Sequence, residues 1–337
     1  MFERVLAPLD GSVLASGVLT HVARIAPPGS ETMLLRVLEG NAEAPLNDPL
    51  EWRMRRDVAD VYLGHIARRV LEEMGLQSIT RVEEGSAADR ILEVAREWDC
   101  SLIALDSHGA GGLNAWNLNS VAFKVAQRSG ASLLLVRGYH VGQDAAQDAP
   151  LVPETYHRIL VPMDGSLRAE HVLGAADAIA AGIGATLVLA HVVQPPRYIH
   201  RRRGSRIEAT VDRAIDQFVV EAQTYLDELA AGLQADTEVR VLRDQDPAAA
   251  LHQLASAEGV DLVLVSAHGH SGQRYWPLGS LATSFLLYGT TTLLVLQDVP
   301  WEDLLPSQAE VSANRPLAPG QRATGSLPGE TGTMLVD

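Results

Sequence analysis

The sequence is poor in the residues that most directly declare a chemistry. Among 337 residues there is one cysteine, Cys100, so neither a disulfide framework nor a cysteine-rich zinc site can be built. There is one lysine, Lys124. The lysine of a G-x-x-x-x-G-K phosphate loop is therefore missing, which removes Walker-type nucleoside triphosphatases, and Schiff-base chemistry would have to rest on Lys124. No apolar run approaches the roughly 18 residues that a membrane span needs. The first residues, MFERVLAPLDGS, lack the basic, apolar and small-residue order of a signal peptide, so a cytoplasmic location is expected. No long segment is basic overall. The net charge is −15, with −5 in residues 1–145, −7 in 146–300 and −3 in 301–337. Such a surface repels nucleic acid.

What is present is a globular composition, 47% hydrophobic, at a length that suits about two domains. An internal repeat accounts for that length. Arg4–Ser12 reads RVLAPLDGS and Arg158–Ser166 reads RILVPMDGS, 154 residues later. Ser107-His108-Gly109 returns as Ala267-His268-Gly269, Ser120 as Ser280, and Leu133–Val136 as Leu293–Leu296, all at an offset of 160. The landmarks recur in one order, as a tandem duplication does.

Each copy alternates short apolar runs with helical spacing. In the second copy, strands are expected at 159–162, 186–193, 238–242, 261–266 and 291–296. Helices are expected at 167–181, 207–233, 247–258 and 280–288. The first copy repeats this, with strands at 5–8, 32–38, 79–83, 101–105 and 132–136. Its helices are an initial one ending near residue 25, then 52–75, 87–98 and 120–129. Near-continuous apolar strands between helices imply parallel sheets covered on both faces, so the fold class is α/β, two tandem doubly wound domains. The expected division is a domain at 1–137, a linker at 138–157, a second domain at 158–298 and a largely disordered tail at 299–337, where Pro, Gly, Ser and Thr show little periodicity. Doubly wound sheets bind ligands beyond the carboxyl ends of their strands, so residues after strands 1, 2 and 4 carry the functional question.

After strand 4 of the second copy stands Ser266-x2-Gly269-x9-Gly279-Ser280. Glycines let a backbone approach phosphate, and the N–H groups of a helix start favour an anion. The alternative is a turn glycine followed by an ordinary helix cap. Together with the repeat and strand pattern, these residues resemble the universal stress protein family in its tandem form. Nucleotide-binding members of that family carry G-x2-G-x9-G-[S/T] after strand 4, an aspartate after strand 1 and a valine late in strand 2. The resemblance implies five-stranded parallel sheets of order 3-2-1-4-5 and a site for ATP, with Mg²⁺ as its companion. It places Asp164 near ribose and adenine, and the backbone of Val192 against adenine. Ser266 replaces the first motif glycine. The implied set in the second copy is Pro162, Asp164, Val192, Ser266, His268, Gly269, Gly279 and Ser280, with Arg201 and Arg274 as phosphate candidates.

The first copy departs further, as Asp106-x2-Gly109-x9-Asn119-Ser120. Asn119 adds a side chain where backbone approach is wanted. Asp106 adds a carboxylate, which at about 5 Å and an effective dielectric near 20 repels each phosphate charge by roughly 3 kcal/mol. A bound Mg²⁺ would reverse that logic. Asp10 and Val37 remain at the nucleoside side. The loops after strand 2 differ in the same direction, with Glu39, Glu43, Asp48 and Glu51 in the first copy and Arg197, Arg201, Arg202, Arg203 and Arg206 in the second. Arginine forks suit phosphate oxygens, and a solvated basic loop or a patch for an acidic partner is the competing reading.

Other residues have plainer alternatives. His108 and His268 either donate to phosphate or hold their loops. Ser12 and Ser166 follow D-G and read as helix caps, having no evident base to make them nucleophiles. Trp116 and Trp276 either pack their loops or stack on a ligand. Strand 5 is apolar in both copies. The resemblance makes it an edge that pairs across a two-fold axis in family dimers, a contact a tandem chain can make internally as a pseudo-dimer, with a homodimer also open. Three functions compete: a stress or signalling protein that binds ATP mainly in its second copy, a slow ATPase or self-phosphorylating enzyme, and an interaction scaffold without nucleotide.

Overall fold

The computed structural model describes residues 2–40, 49–107, 120–137, 151–195, 206–269 and 278–297. The expected tail and most of the expected linker lie outside them. The first half runs β1 (Arg4–Pro8), α1 (Val13–Ile25), β2 (Glu31–Leu38), α2 (Pro49–Met74), β3 (Ser78–Glu84), α3 (Ala87–Glu97), β4 (Leu102–Asp106), α4 (Ser120–Ala126) and β5 (Ser132–Val136). The second runs β6 (Arg158–Pro162), α5 (Leu167–His171), α6 (Leu173–Ile183), β7 (Thr186–Val193), α7 (Arg206–Ala231), β8 (Thr237–Arg243), α8 (Pro247–Ala257), β9 (Leu262–Ser266), α9 (Ser280–Tyr288) and β10 (Thr292–Leu296). The expected helix at 167–181 is two helices, stepping at Val172, whose N–H reaches Ala169 O at 3.3 Å.

The strands form one sheet in the order β3-β2-β1-β4-β5-β10-β9-β6-β7-β8. Each half has the 3-2-1-4-5 order, parallel throughout. The two five-stranded sets join where β5 meets β10 antiparallel, with Leu135 opposite Leu293, Leu134 opposite Leu294 and Leu133 opposite Val295. Two apolar edges that would otherwise invite foreign strands thus cover each other. The outer edges, β3 and β8, carry Arg81, Glu83 and Glu84, and Glu238, Arg240 and Arg243, which keep those edges hydrated.

Alternation along the strands builds two cores. Val5, Ala7, Leu34, Leu134, Ile159, Leu189 and Leu294 face one side, against Val18, Leu19 and Val22 of α1, Leu63 and Val70 of α2, and Leu226 of α7. Leu6, Leu35, Ile103, Leu135, Val263, Leu293 and Val295 face the other, against Ile91 of α3, Val125 of α4, Leu251 of α8 and Phe285 of α9. Both cores run across the β5–β10 seam. Because the halves meet antiparallel, the carboxyl ends of their strands open on opposite rims of the sheet.

The residues that leave the seam strands reach into the opposite half. Arg137, buried just after β5, donates through Nη2 to Phe285 O (3.0 Å) and Leu286 O (2.7 Å) in the last turns of α9. Gln297, just after β10, donates through Nε2 to Ser129 O (3.0 Å), beyond the end of α4. The entry to β6 is strapped to the first half. Glu154 N–H donates to Thr20 O (3.0 Å), Arg24 Nε donates to Glu154 O (2.7 Å), and the Tyr156 hydroxyl bonds His21 Nδ1. No described helix is long and apolar enough to cross a membrane.

Candidate functional site

A cavity of about 650 Å³ opens at the carboxyl rim of the second half. Three strand ends and residues of α5, α7, α8 and α9 build it. β6 ends at Pro162, and the chain turns through Met163, Asp164 and Gly165. Gly165 has φ +77°, the left-handed conformation that a side chain disfavours, and its counterpart Gly11 has φ +85°. The turn lets Ser166 donate to Asp164 Oδ1 through both its N–H (3.0 Å) and its hydroxyl (2.6 Å). The Ser166 hydroxyl also accepts from Ala169 N–H (3.2 Å), capping α5 as the D-G-S pattern suggested. The Asp164 carboxylate is thereby held at the rim.

β7 supplies His191 and Val192. Nδ1–H of His191 donates to Met163 O (2.8 Å), tying β7 to the turn after β6. Ser266, the last residue of β9, is half-buried; beyond it His268 is buried at the base of the loop and Gly269 lies against Asp164. A Cβ placed on Gly269 would collide with Asp164 Oδ2, so a side chain at this position would displace the carboxylate from where it now lies. Gly279 N–H donates to Ala267 O (2.6 Å) and pins the start of α9 to the end of β9. Gly279 is the N-cap and offers no side chain to the first N–H groups of α9, so the cavity meets a helix start without a capping group. From the facing helix come Phe218, Glu221, Ala222 and Tyr225 of α7. Tyr225 donates to Glu170 Oε1 (3.0 Å), and burial, reinforced by that bond, pushes its phenol well above the ordinary range.

The equivalent place in the first half is furnished differently. Ser12 N–H donates to Asp10 Oδ1 (2.9 Å), matching the second half. Where His191 stands in β7, Arg36 stands in β2, donating to Leu9 O (3.1 Å), with its guanidinium about as close to Gly11 as a methyl group on that residue would allow, 3.5–3.6 Å. Tyr62 of α2, like Tyr225 of α7, lies near the aspartate that follows the first strand of its half, and burial together with the Asp10 carboxylate pushes its phenol up to about 12. Asp106 is buried at the end of β4. Cys100 is buried as well, and its thiol is pushed up to about 12 by burial, which leaves it inert. Among the described residues, no group of three His, Cys, Asp or Glu is placed to hold a metal.

Comparison with known proteins identifies the architecture. The profile of the Universal stress protein family matches the chain twice, over residues 1–137 and 155–297. The chain belongs to the universal stress protein family. As a tandem universal stress protein, it is 30% identical over 148 residues to Universal stress protein YxiE of Bacillus subtilis (strain 168), an alignment spanning 41% of this chain and all of that one. Its fold is shared with a universal stress protein from Archaeoglobus fulgidus DSM 4304, at 19% identity and TM-score 0.59, covering 88% of this chain and 99% of that one. A functionally unknown protein from Pseudomonas aeruginosa PAO1 is similar at 16% identity and TM-score 0.54, covering 90% and 94%. At such identities the likeness bears on fold alone.

Of the ten candidate residues in this universal stress protein, eight line the one cavity: Pro162, Asp164, Val192, Ser266, His268, Gly269, Gly279 and Ser280. Arg201 and Arg274 lie outside the described residues, as do Arg197, Arg202, Arg203, Trp276, and His108, Gly109, Trp116 and Asn119 of the first half. The sequence reading missed His191 and the α7 wall.

Proposed function

We propose that the second half of this universal stress protein binds an adenine nucleotide, ATP with its Mg²⁺ counter-ion, and acts in stress-response signalling through conformation or partner contacts rather than through turnover. The observation that carries this reading is the cavity at the carboxyl rim, whose lining includes eight of the ten residues that the sequence pattern offered. Its volume of about 650 Å³ lies within the range of small-molecule sites. The polar groups suit the parts of ATP. Asp164 would accept from ribose hydroxyls, the backbone at Val192 would meet adenine, and Ser280 with the N–H groups that open α9 would receive phosphate oxygens. Arg201 and Arg274 would add charge-assisted bonds to the same oxygens.

A second reading applies to the first half, which we infer to be a scaffold without nucleotide. What favours it is Arg36, whose guanidinium lies beside Gly11 and Leu9 O at the strand-1 turn, together with the buried Asp106 at the end of β4.

The test is calorimetric titration of ATP into the full chain beside Gly279→Glu and Asn119→Glu. Binding lost only with Gly279→Glu is the expected outcome. Loss only with Asn119→Glu would overturn the assignment to the second half, and no binding by the unaltered chain would overturn the nucleotide itself. Replacing Arg201–Arg203 by alanine should weaken ATP binding, and unchanged affinity would remove the phosphate role from that loop.

A further inference from the structure

We propose that Arg137 of the first half is a positioning residue for the phosphate end of the second half's site, acting through α9. The inference rests on the nucleotide reading above and adds to it that the first half sets how well the second half holds an anion.

α9 is nine residues long, about 13 Å from end to end. Its start borders the cavity at Gly279 and Ser280. Its far end carries the Phe285 and Leu286 carbonyls that accept from Arg137 Nη2. Arg137 is only 7% exposed and follows directly from β5, a central strand of the sheet, so the guanidinium is fixed to the most rigid layer of the molecule. A second contact acts on the same turn. The His252 ring of α8 lies 4.2 Å from that of Phe285, and its Nε2 bonds Ser284 Oγ at 3.1 Å. The C-terminal half of α9 is thus held, while its N-terminus is tied to β9 through the Gly279 N–H and carries no capping side chain.

A cation at the C-terminus of a helix and an anion at its N-terminus complement the same dipole. Each therefore favours the position of α9 that suits the other. The pseudo-symmetric counterpart sharpens the point. Gln297 stands 160 residues after Arg137 and reaches the other half with a neutral amide, to Ser129 O beyond the end of α4 rather than to carbonyls within that helix. The charged side chain supports the half whose loop keeps Gly269 and Gly279. The neutral one supports the half whose loop has Asp106 and Asn119.

The experiment is titration of the full-length chain, and of its Arg137→Met, Arg137→Gln, Arg137→Lys and Gln297→Met variants, with ATP and separately with adenosine, which has no phosphate. Arg137→Met and Arg137→Gln should weaken ATP binding about three- to tenfold while adenosine binding stays within about twofold. Arg137→Lys should recover most of the ATP affinity, and Gln297→Met should leave it unchanged. Arg137→Gln keeps a donor and supplies the comparison if Arg137→Met fails to fold. Equal loss of ATP and adenosine affinity would reduce Arg137 to a structural role and overturn the proposal, as would unchanged ATP affinity in both neutral variants. If the unaltered chain binds adenosine and ATP, those outcomes sink the proposal alone. If it binds neither, the nucleotide reading falls and takes the proposal with it.

Discussion

Asp164 and Gly269 lie more than a hundred residues apart in the chain, yet each fixes the other's chemistry. Ser166 holds one oxygen of the carboxylate from two directions, and the space beside the other is open only because Gly269 has no Cβ. Gly269→Ala should push the carboxylate aside and weaken ATP binding. Asp164→Ala should also weaken it. The double variant should lose less than the two losses combined, because both act through one carboxylate. A calorimetric double-mutant cycle measures this, and strictly additive losses would mean that the two residues act apart. At this scale much was legible in advance. The D-G-S turn and the Gly269-x9-Gly279 spacing are local patterns, repeated or preserved in sequence. His191 and Tyr225 were not legible. Helical and strand periods show which side chains are buried, but not which buried edge borders a cleft.

The elements themselves were readable because the strands are apolar runs bounded by turns and the helices carry a steady apolar period. The step at Val172 left no mark, since the residues on both sides continue the helical pattern. The outermost strand of the second half, β8, gives an element-scale prediction. Arg158 holds Glu238 in a fork, at 3.1 and 2.9 Å, and also bonds Glu258 at 2.6 Å, while Arg240 bonds both carboxylates. The Arg158 fork, aided by Arg240, lowers the Glu238 carboxyl from 4.5 to about 2. Its folded pKa is depressed, so the stability it contributes is complete above pH 4.5 and is lost as pH falls from there towards 2, where the unfolded chain takes up the proton first. Melting temperature followed against pH should therefore fall less steeply across that window in Glu238→Gln than in the unaltered chain. Equal slopes would show that the cluster is not the acid-sensitive part of this edge.

At the scale of the molecule, the ten-stranded sheet and the two cores that cross its seam make the halves parts of one folding unit. Thermal unfolding of the full chain should give one calorimetric transition, and two resolved transitions would contradict that coupling. Leu134 and Leu294 face each other in the seam, both fully buried. Each Leu→Ala change should cost about 2–5 kcal/mol. The pair should be non-additive, as neighbours sharing one space are. Sequence reading reached the duplication and the apolar fifth strands. It did not reach Arg137 and Gln297, whose partners come near only once β5 and β10 are laid antiparallel.

That seam also changes what the chain can become. A dimer of separate copies falls apart on dilution and must carry the same site twice, because one gene specifies both. Joined in a single chain, the two copies meet at an effective concentration set by their tether, whatever the amount of protein in solution. They are also free to diverge. One can give up its ligand, take arginine and aspartate into the vacated place, and persist as the fixed support of the other.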